Sequence, residues 1–75
     1  MDEATRQMYL KAGRAYGVEA TCGKKIDYGS EESADKAAAA MTRKTGRELE
    51  AYPCDFCDGW HVGRAMTEEE RSTFA

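Results

Sequence analysis

The residues best suited to chemistry in this chain are three cysteines and one histidine. Cys54, Cys57 and His61 lie within eight consecutive residues, and Cys22 lies 32 positions before Cys54. Thiolate sulfur and imidazole nitrogen are the usual donors of structural zinc, which takes four ligands in a tetrahedron. Because these four residues are every cysteine and the only histidine in the chain, the sequence predicts one Zn²⁺ bound by Cys22, Cys54, Cys57 and His61.

Two other interpretations of the same residues stay open. Cys54 and Cys57 could form a redox pair, although such pairs normally lie at a helix N-terminus after a strand, in a βαβ setting that this pattern does not favour. His61 could be an ordinary strand histidine beside Trp60, with Asp58 or water as the fourth ligand. The neighbouring aromatic residues are Tyr52, Phe56 and Trp60. We expect them in the core, and the alternative is that they form a platform on which nucleic-acid bases stack.

Catalysis is not expected. Zinc deaminases share a Pro-Cys-x-x-Cys element but also need His-x-Glu, and here Val62 and Gly63 follow the only histidine. Metalloprotease, P-loop and dinucleotide-binding patterns are missing, and no Ser-His-acid set remains once His61 binds zinc. The sequence therefore predicts neither catalytic residues nor a small-molecule substrate.

Composition also favours a metal. A chain of 75 residues buries a small core, and much of its 41% hydrophobic content is alanine. Three cysteines cannot all pair within one chain, and no apolar signal segment or membrane-length run is present. We expect a reducing, cytoplasmic compartment, no membrane association, and zinc in place of disulfides.

Two helices and one strand are predicted before the Cys-x-x-Cys element. Asp2 caps a first helix over residues 3–16, which Gly17 ends, and the residues expected on its inner face are Met8, Ala12, Ala15 and Tyr16. Tyr9 and Leu10 fall off that face and are expected to form an exposed apolar patch or to be incidental. Alternation over residues 18–22 predicts a short strand, and Ser30 caps an alanine-rich helix that runs to Gly46.

A hairpin and a short helix are predicted for the rest of the chain. A strand over residues 47–52 leads into Pro53 and the cysteines, and a second strand returns from Trp60 to Gly63 after an Asp-Gly turn. Thr67 and Glu70 form a capping-box pattern for a last helix, with Phe74 docking on the core. The predicted fold is a small α+β zinc-stabilised domain over residues 1–75, divided into an N-terminal helix (1–17), a zinc core (18–64) and an acidic C-terminal segment (65–75).

Charge is unevenly distributed. Fourteen acidic and eleven basic residues give a net charge of −3, yet residues 36–47 contain no acid. This basic strip predicts contacts to phosphates, with a solvated helix face as the alternative. The predicted nucleic-acid-binding residues are Lys24, Lys25, Lys36, Arg43, Lys44, Arg47 and Arg64.

The order of these motifs resembles a family. The chain is similar to small zinc-finger-like proteins of actinobacteria and their phages in the order of its motifs. These are Cys22, Lys25 and Tyr28, then Ser30 opening an alanine-rich helix, then Tyr-x-Cys-x-x-Cys-x-x-Trp-His over residues 52–61. The resemblance covers residues 20–64. It implies a fold and a zinc ion, and it leaves the activity of the family unsettled.

Two functions of different classes are compatible with these observations. The first is nucleic-acid or transcription-associated binding through the basic residues. The alternative is a small protein-interaction regulator or phage-encoded host-directed factor that uses the zinc core as a scaffold. The negative net charge weighs against the first and does not affect the second.

Overall fold

The computed structural model describes residues 1–75 and has four helices and one two-stranded antiparallel sheet. In chain order the elements are α1 (Glu3–Tyr16), α2 (Val18–Thr21), α3 (Glu31–Thr45), β1 (Leu49–Pro53), β2 (Trp60–Arg64) and α4 (Glu68–Phe74). The predicted α+β class is confirmed. None of the four helices combines the length and the apolarity that a membrane-spanning segment requires.

The predicted helix boundaries follow from their caps. The Asp2 carboxylate accepts a hydrogen bond from the Thr5 amide at 2.7 Å, and the Ser30 hydroxyl accepts one from the Ser33 amide at 3.2 Å. Such bonds satisfy amides that have no partner within a helix. Gly46 ends α3 at φ +75°, a left-handed conformation that glycine adopts without strain. At α4, Thr67 and Glu70 cap each other reciprocally, as the capping-box pattern predicts.

The strand predicted over residues 18–22 is wrong, because this segment forms α2. The amides of Cys22 and Gly23 both donate to the Val18 carbonyl, at 2.7 and 2.8 Å, so the chain turns helically just before the first cysteine. Thr21 is buried, its hydroxyl donates to the Gly13 carbonyl at 3.1 Å, and its own carbonyl accepts from the Tyr52 hydroxyl at 2.6 Å. These contacts across the fold outweigh an alternation only five residues long.

The inner face of α1 is also rotated from its predicted position. Tyr9 and Leu10, expected as an exposed patch, are each only 6% exposed, whereas Tyr16, expected inside, is 51% exposed. The ring of Tyr9 stacks on Tyr52 of β1 with centroids 5.9 Å apart, and its hydroxyl donates to the Glu50 carboxylate. The side of α1 that carries Tyr9 therefore faces β1.

The hairpin and α3 form the layer that carries the cysteines. Tyr52 pairs with His61 and Pro53 with Trp60 across the two strands. Helix α3 packs on both strands, and its buried side chains are the alanines at positions 34 and 38. Small side chains allow a helix to lie close to a sheet, although each buries little apolar area. Phe74 of α4 packs edge-on against Tyr16 of α1 with ring centroids 5.6 Å apart. Because Tyr16 is exposed and no residue of α4 is buried, Phe74 does not dock on the core as predicted.

Candidate metal centre

The fold brings all four predicted ligands together. The sulfurs of Cys22, Cys54 and Cys57 and a ring nitrogen of His61 all lie within 4.8 Å of one another. The Cys57 sulfur is 3.4 Å from His61 Nε2. Tetrahedral zinc with bonds of about 2.0–2.3 Å requires ligand atoms roughly 3.3–3.8 Å apart. The cluster is therefore close to the size that one such ion needs.

A helix C-terminus and two backbone hydrogen bonds position the cysteine thiols. Cys22 caps the C-terminus of α2, and its carbonyl accepts from the Lys25 amide at 2.9 Å, which closes a turn directly after it. Cys54 directly follows β1, and its amide donates to the Gly59 carbonyl at 3.0 Å. This bond closes the loop that contains Cys57. Cys54 and Cys57 thus lie in a turn between two strands and not at a helix N-terminus, which removes the structural setting of the redox interpretation.

His61 is oriented by a contact that sequence analysis did not identify. Its Nδ1 lies 2.7 Å from the carbonyl oxygen of Ile26, and the residue is 1% exposed. A carbonyl can only accept, so Nδ1 carries the proton and Nε2 faces the sulfurs with its lone pair. Metal-bound histidines normally make such an outer hydrogen bond, which fixes the tautomer. His61 is thus a strand residue and a member of the cluster at the same time, and no water or Asp58 is needed to complete a set of four.

Asp27 is a second supporting residue that the sequence analysis missed. Its carboxylate accepts from the Gly29 amide at 2.8 Å and from the Trp60 amide at 3.2 Å. These two bonds, led by that of Gly29, lower the pKa of Asp27. They tie the segment after Cys22 to the start of β2, next to His61. An Asp two residues before a Gly suggests a local turn, but its reach to residue 60 depends on the tertiary fold.

The donor chemistry suits a soft divalent cation. Desolvation, followed by the neighbouring Cys57 and Cys54 thiols, raises the pKa of the Cys22 thiol to about 11. Three thiolates crowded together without a cation would repel one another, and a bound metal ion removes that cost. Sulfur and imidazole donors in a four-ligand set favour zinc over magnesium or calcium, which prefer oxygen. The four residues therefore form a candidate metal centre.

The aromatic residues around this centre divide into two groups. Tyr52 is buried at 7% exposure, as a core residue should be, and Trp60 is half-buried. Phe56, which the sequence placed in the core, is 44% exposed in the loop between the two cysteines. A side chain at the tip of a tight loop has little fold around it to pack against. Ile26, whose own carbonyl oxygen contacts His61, is 64% exposed.

The seven predicted nucleic-acid-binding residues do not share one environment. Arg64 forms a two-point ion pair with Glu70, at 2.7 and 2.9 Å, and Lys36 lies 3.3 Å from Glu32 one helical turn away. The other five are exposed and have no carboxylate within 4.0 Å. They form two groups: Arg43, Lys44 and Arg47 around the end of α3, and Lys24 and Lys25 in the turn after Cys22.

No protein-family model, no curated protein and no solved structure matches the chain.

Proposed function

We propose that this protein is a non-enzymatic structural-zinc module that binds nucleic acid, as in transcription-associated binding. The observation that carries the zinc assignment is the convergence of three sulfurs and a ring nitrogen of His61 within 4.8 Å. Four protein donors complete a tetrahedral set, whereas catalytic zinc sites keep one position for water or substrate. The metal therefore has a structural role, and the function resides on the surface that it stabilises.

The surface proposed to contact nucleic acid is the α3-end cluster, defined as Arg43, Lys44 and Arg47. All three are exposed, and none has an acidic partner within 4.0 Å. A cationic side chain without an acidic partner gains more binding free energy from a phosphate than one that must first break its ion pair with a carboxylate. The resemblance to small zinc-finger-like proteins of actinobacteria and phages is compatible with this use of the fold. Lys24 and Lys25 provide a second cationic group close to the cysteines.

Two matched double variants test this proposal. Arg43→Glu with Lys44→Glu should abolish binding to a random-sequence oligonucleotide at low salt. Arg6→Glu with Lys11→Glu changes the net charge equally at two other exposed cations and should bind much more tightly than the first variant. Wild-type binding should weaken as salt rises, with a slope of about −0.7 to −0.9 in log–log form for each phosphate contacted. Wild-type affinity that does not depend on salt, or equal loss in both variants, would contradict the proposal.

A second candidate function is protein recognition, as a small regulator or a phage host-directed factor. Ile26 and Phe56 support it, because both are exposed apolar side chains adjacent in sequence to the turns that carry the candidate ligands. Phe56→Ser should leave zinc content and fold unchanged and should abolish capture of a protein partner. Binding of this kind would be weakly dependent on salt, which distinguishes it from phosphate contact.

A further inference from the structure

A cavity of about 420 Å³ is lined by residues of α1, α2, the hairpin and α4. Its lining residues include three tyrosines and three charged residues, which are Tyr9, Tyr16, Tyr52, Lys25, Arg64 and Glu70. Ligand pockets in proteins typically measure about 300–1,000 Å³ and combine apolar walls with a few polar groups. This cavity has that size and that composition.

The Glu70 carboxylate in this cavity is held by an unusually complete set of donors. Arg64 donates to both of its oxygens at 2.7 and 2.9 Å, the Tyr16 hydroxyl donates at 2.6 Å, and the Thr67 amide donates at 2.9 Å. A guanidinium fork with an added hydroxyl is a typical arrangement for recognising a carboxylate or a phosphate. The chain's own C-terminal segment supplies the anion in this structure.

A second cation lies in the same cavity without an anion of its own. A Cβ built on Gly63 would lie 3.8 Å from the Lys25 ammonium, so this cation reaches the strand position next to Arg64. Lys25 has no carboxylate within 4.0 Å. Arg64 itself stays 66% exposed at its side chain while paired with Glu70. An incoming anion can therefore approach both cations from solvent.

Helix α4, which carries Glu70, is held by few contacts. None of its residues is buried. Apart from the Glu70 bonds, its attachments are the packing of Phe74 on Tyr16 and an ion pair between Arg71 and Glu50 at 3.4 Å. Exposed ion pairs contribute about 0–1 kcal/mol each. The helix can therefore be displaced without disturbing the layer that carries the candidate metal centre.

We propose that Arg64, Lys25 and Tyr16 form a second phosphate-binding site for single-stranded nucleic acid, which the Glu70 carboxylate occupies in the free protein. This inference rests on the proposed nucleic-acid function and adds a self-blocking step to it. A single strand fits the site because Tyr16 is 51% exposed and can stack a base beside the phosphate. Glu70 then acts as an internal competitor that a bound strand must displace.

The test compares Glu70→Gln with Glu69→Gln in the full-length zinc-loaded protein. Both variants remove one negative charge from α4, but Glu69 is exposed and has no ion pair. Glutamine also serves in a capping box, so Glu70→Gln should keep the start of α4. We expect Glu70→Gln to bind a single-stranded oligonucleotide about three- to tenfold more tightly than Glu69→Gln at low salt. Its salt slope should be steeper by about 0.7, the contribution of one phosphate.

The double variant Glu70→Gln with Arg64→Gln should lose this gain. Equal affinities for the two single variants, or a gain that persists without Arg64, would overturn the inference. If Glu70→Gln tightens the binding of a glutamate-rich peptide as much as that of the oligonucleotide, the site recognises a carboxylate partner. That result would also overturn the inference. The α3-end variants separate the two proposals, because binding that requires Arg43 and Lys44 but ignores Glu70 leaves the proposed function standing.

Nuclear magnetic resonance of the wild-type chain gives a second measurement that does not depend on the folding of any variant. Addition of the oligonucleotide should shift the Arg64 side-chain signals and move the amide signals of α4 toward unfolded values. Binding that leaves α4 signals unchanged contradicts displacement of Glu70.

Discussion

The Nδ1 of His61 donates a hydrogen bond to the carbonyl oxygen of Ile26 across 2.7 Å, and this single contact joins two parts of the chain that are 35 residues apart. It leaves His61 Nε2 facing the Cys57 sulfur at 3.4 Å. The segment that follows Cys22 is thus attached to β2 through a candidate ligand. Loss of the metal ion should for that reason affect more of the fold than the cysteine loop alone.

The first prediction is that one zinc ion binds per chain and that its removal unfolds the domain. Cys22 precedes α3 and the other three ligands follow it, so the ion closes a loop that contains this helix. Structural zinc contributes about 10–16 kcal/mol of apparent binding free energy in finger peptides at neutral pH, more than a small core can replace. Elemental analysis should give equimolar zinc. Chelation should remove the helical circular-dichroism signal and change Trp60 fluorescence together.

Serine variants of the three cysteines test the same prediction in a second way. Cys22→Ser, Cys54→Ser and Cys57→Ser should each lose tightly bound zinc. A folded sample without metal, or native spectra after a strong chelator has stripped the ion, would show that the centre is peripheral to stability.

The second prediction concerns protons. In the metal-free, unfolded chain the cysteine thiols have their ordinary pKa of about 8.5, so they are protonated at neutral pH and must lose their protons on binding zinc. Binding should release about three protons per zinc at pH 7 if all three cysteines bind as thiolates. Apparent zinc affinity should accordingly rise with pH and fall on acidification. Calorimetry in buffers of different ionisation enthalpy measures this number, and release of about one proton or fewer would exclude a three-thiolate site.

The third prediction concerns the close approach of Gly59 and Asp27. A Cβ on Gly59 would collide with the Asp27 carboxylate, so Gly59→Ala must displace the side chain that accepts from the Gly29 and Trp60 amides. We expect a loss of about 1–3 kcal/mol in unfolding free energy, measured by urea denaturation with zinc bound. In the background of Asp27→Ala the same change should cost much less, because the clash is gone. Additive effects in this double-mutant cycle would contradict the contact.

The fourth prediction uses the small side chains of α3. Ala34 is fully buried between this helix and the hairpin, whereas Ala40 is exposed on the same helix. Ala34→Leu should destabilise the domain by about 1–3 kcal/mol through overpacking, while Ala40→Leu should have little effect. Thermal or urea unfolding of the two variants decides the point, and equal stabilities would mean that α3 does not lie close to the sheet.

The fifth prediction concerns the acid titration of Glu70. Hydrogen bonds from Arg64, then from Tyr16 and the Thr67 amide, hold the pKa of this carboxyl far below its ordinary value. A depressed pKa means that the attachment of α4 is fully present above the ordinary glutamate pKa and is lost only as pH falls through the lowered one. The Glu70 side-chain carbon signal should therefore stay at its ionised position for as long as Trp60 fluorescence shows the native, zinc-bound fold on acidification. Arg64→Gln should move its titration upward, and an ordinary titration of the wild type within the native pH range would contradict the ion pair.

The sequence was sufficient for features that depend on local chemistry. The caps at Asp2, Ser30 and Thr67, the end of α3 at Gly46 and the hairpin around the cysteines all follow from residues close together in the chain. The clustering of Cys22, Cys54, Cys57 and His61 could be predicted because the chain has no other cysteine or histidine.

Features that depend on contacts between distant residues could not be predicted in the same way. Residues 18–21 form a helix in which Thr21 bonds to Gly13 and to Tyr52, which lie 8 and 31 positions away. Tyr9 was buried by stacking on Tyr52, 43 positions along the chain. The roles of Ile26 and Asp27 depend on the approach of β2. None of these contacts leaves a periodic trace in the sequence.

The spacing of the four ligands also determines the order in which the protein can assemble. Cys54, Cys57 and His61 belong to one hairpin, which can form in about 1–10 μs, so three donors can gather around an ion before the rest of the chain is ordered. Cys22 lies before α3 in the chain and can join the other three donors only when the intervening segment has closed. We therefore expect metal capture by the hairpin alone to be reversible until Cys22 arrives. We also expect the concentration of available zinc to affect how fast newly made chains reach the native state.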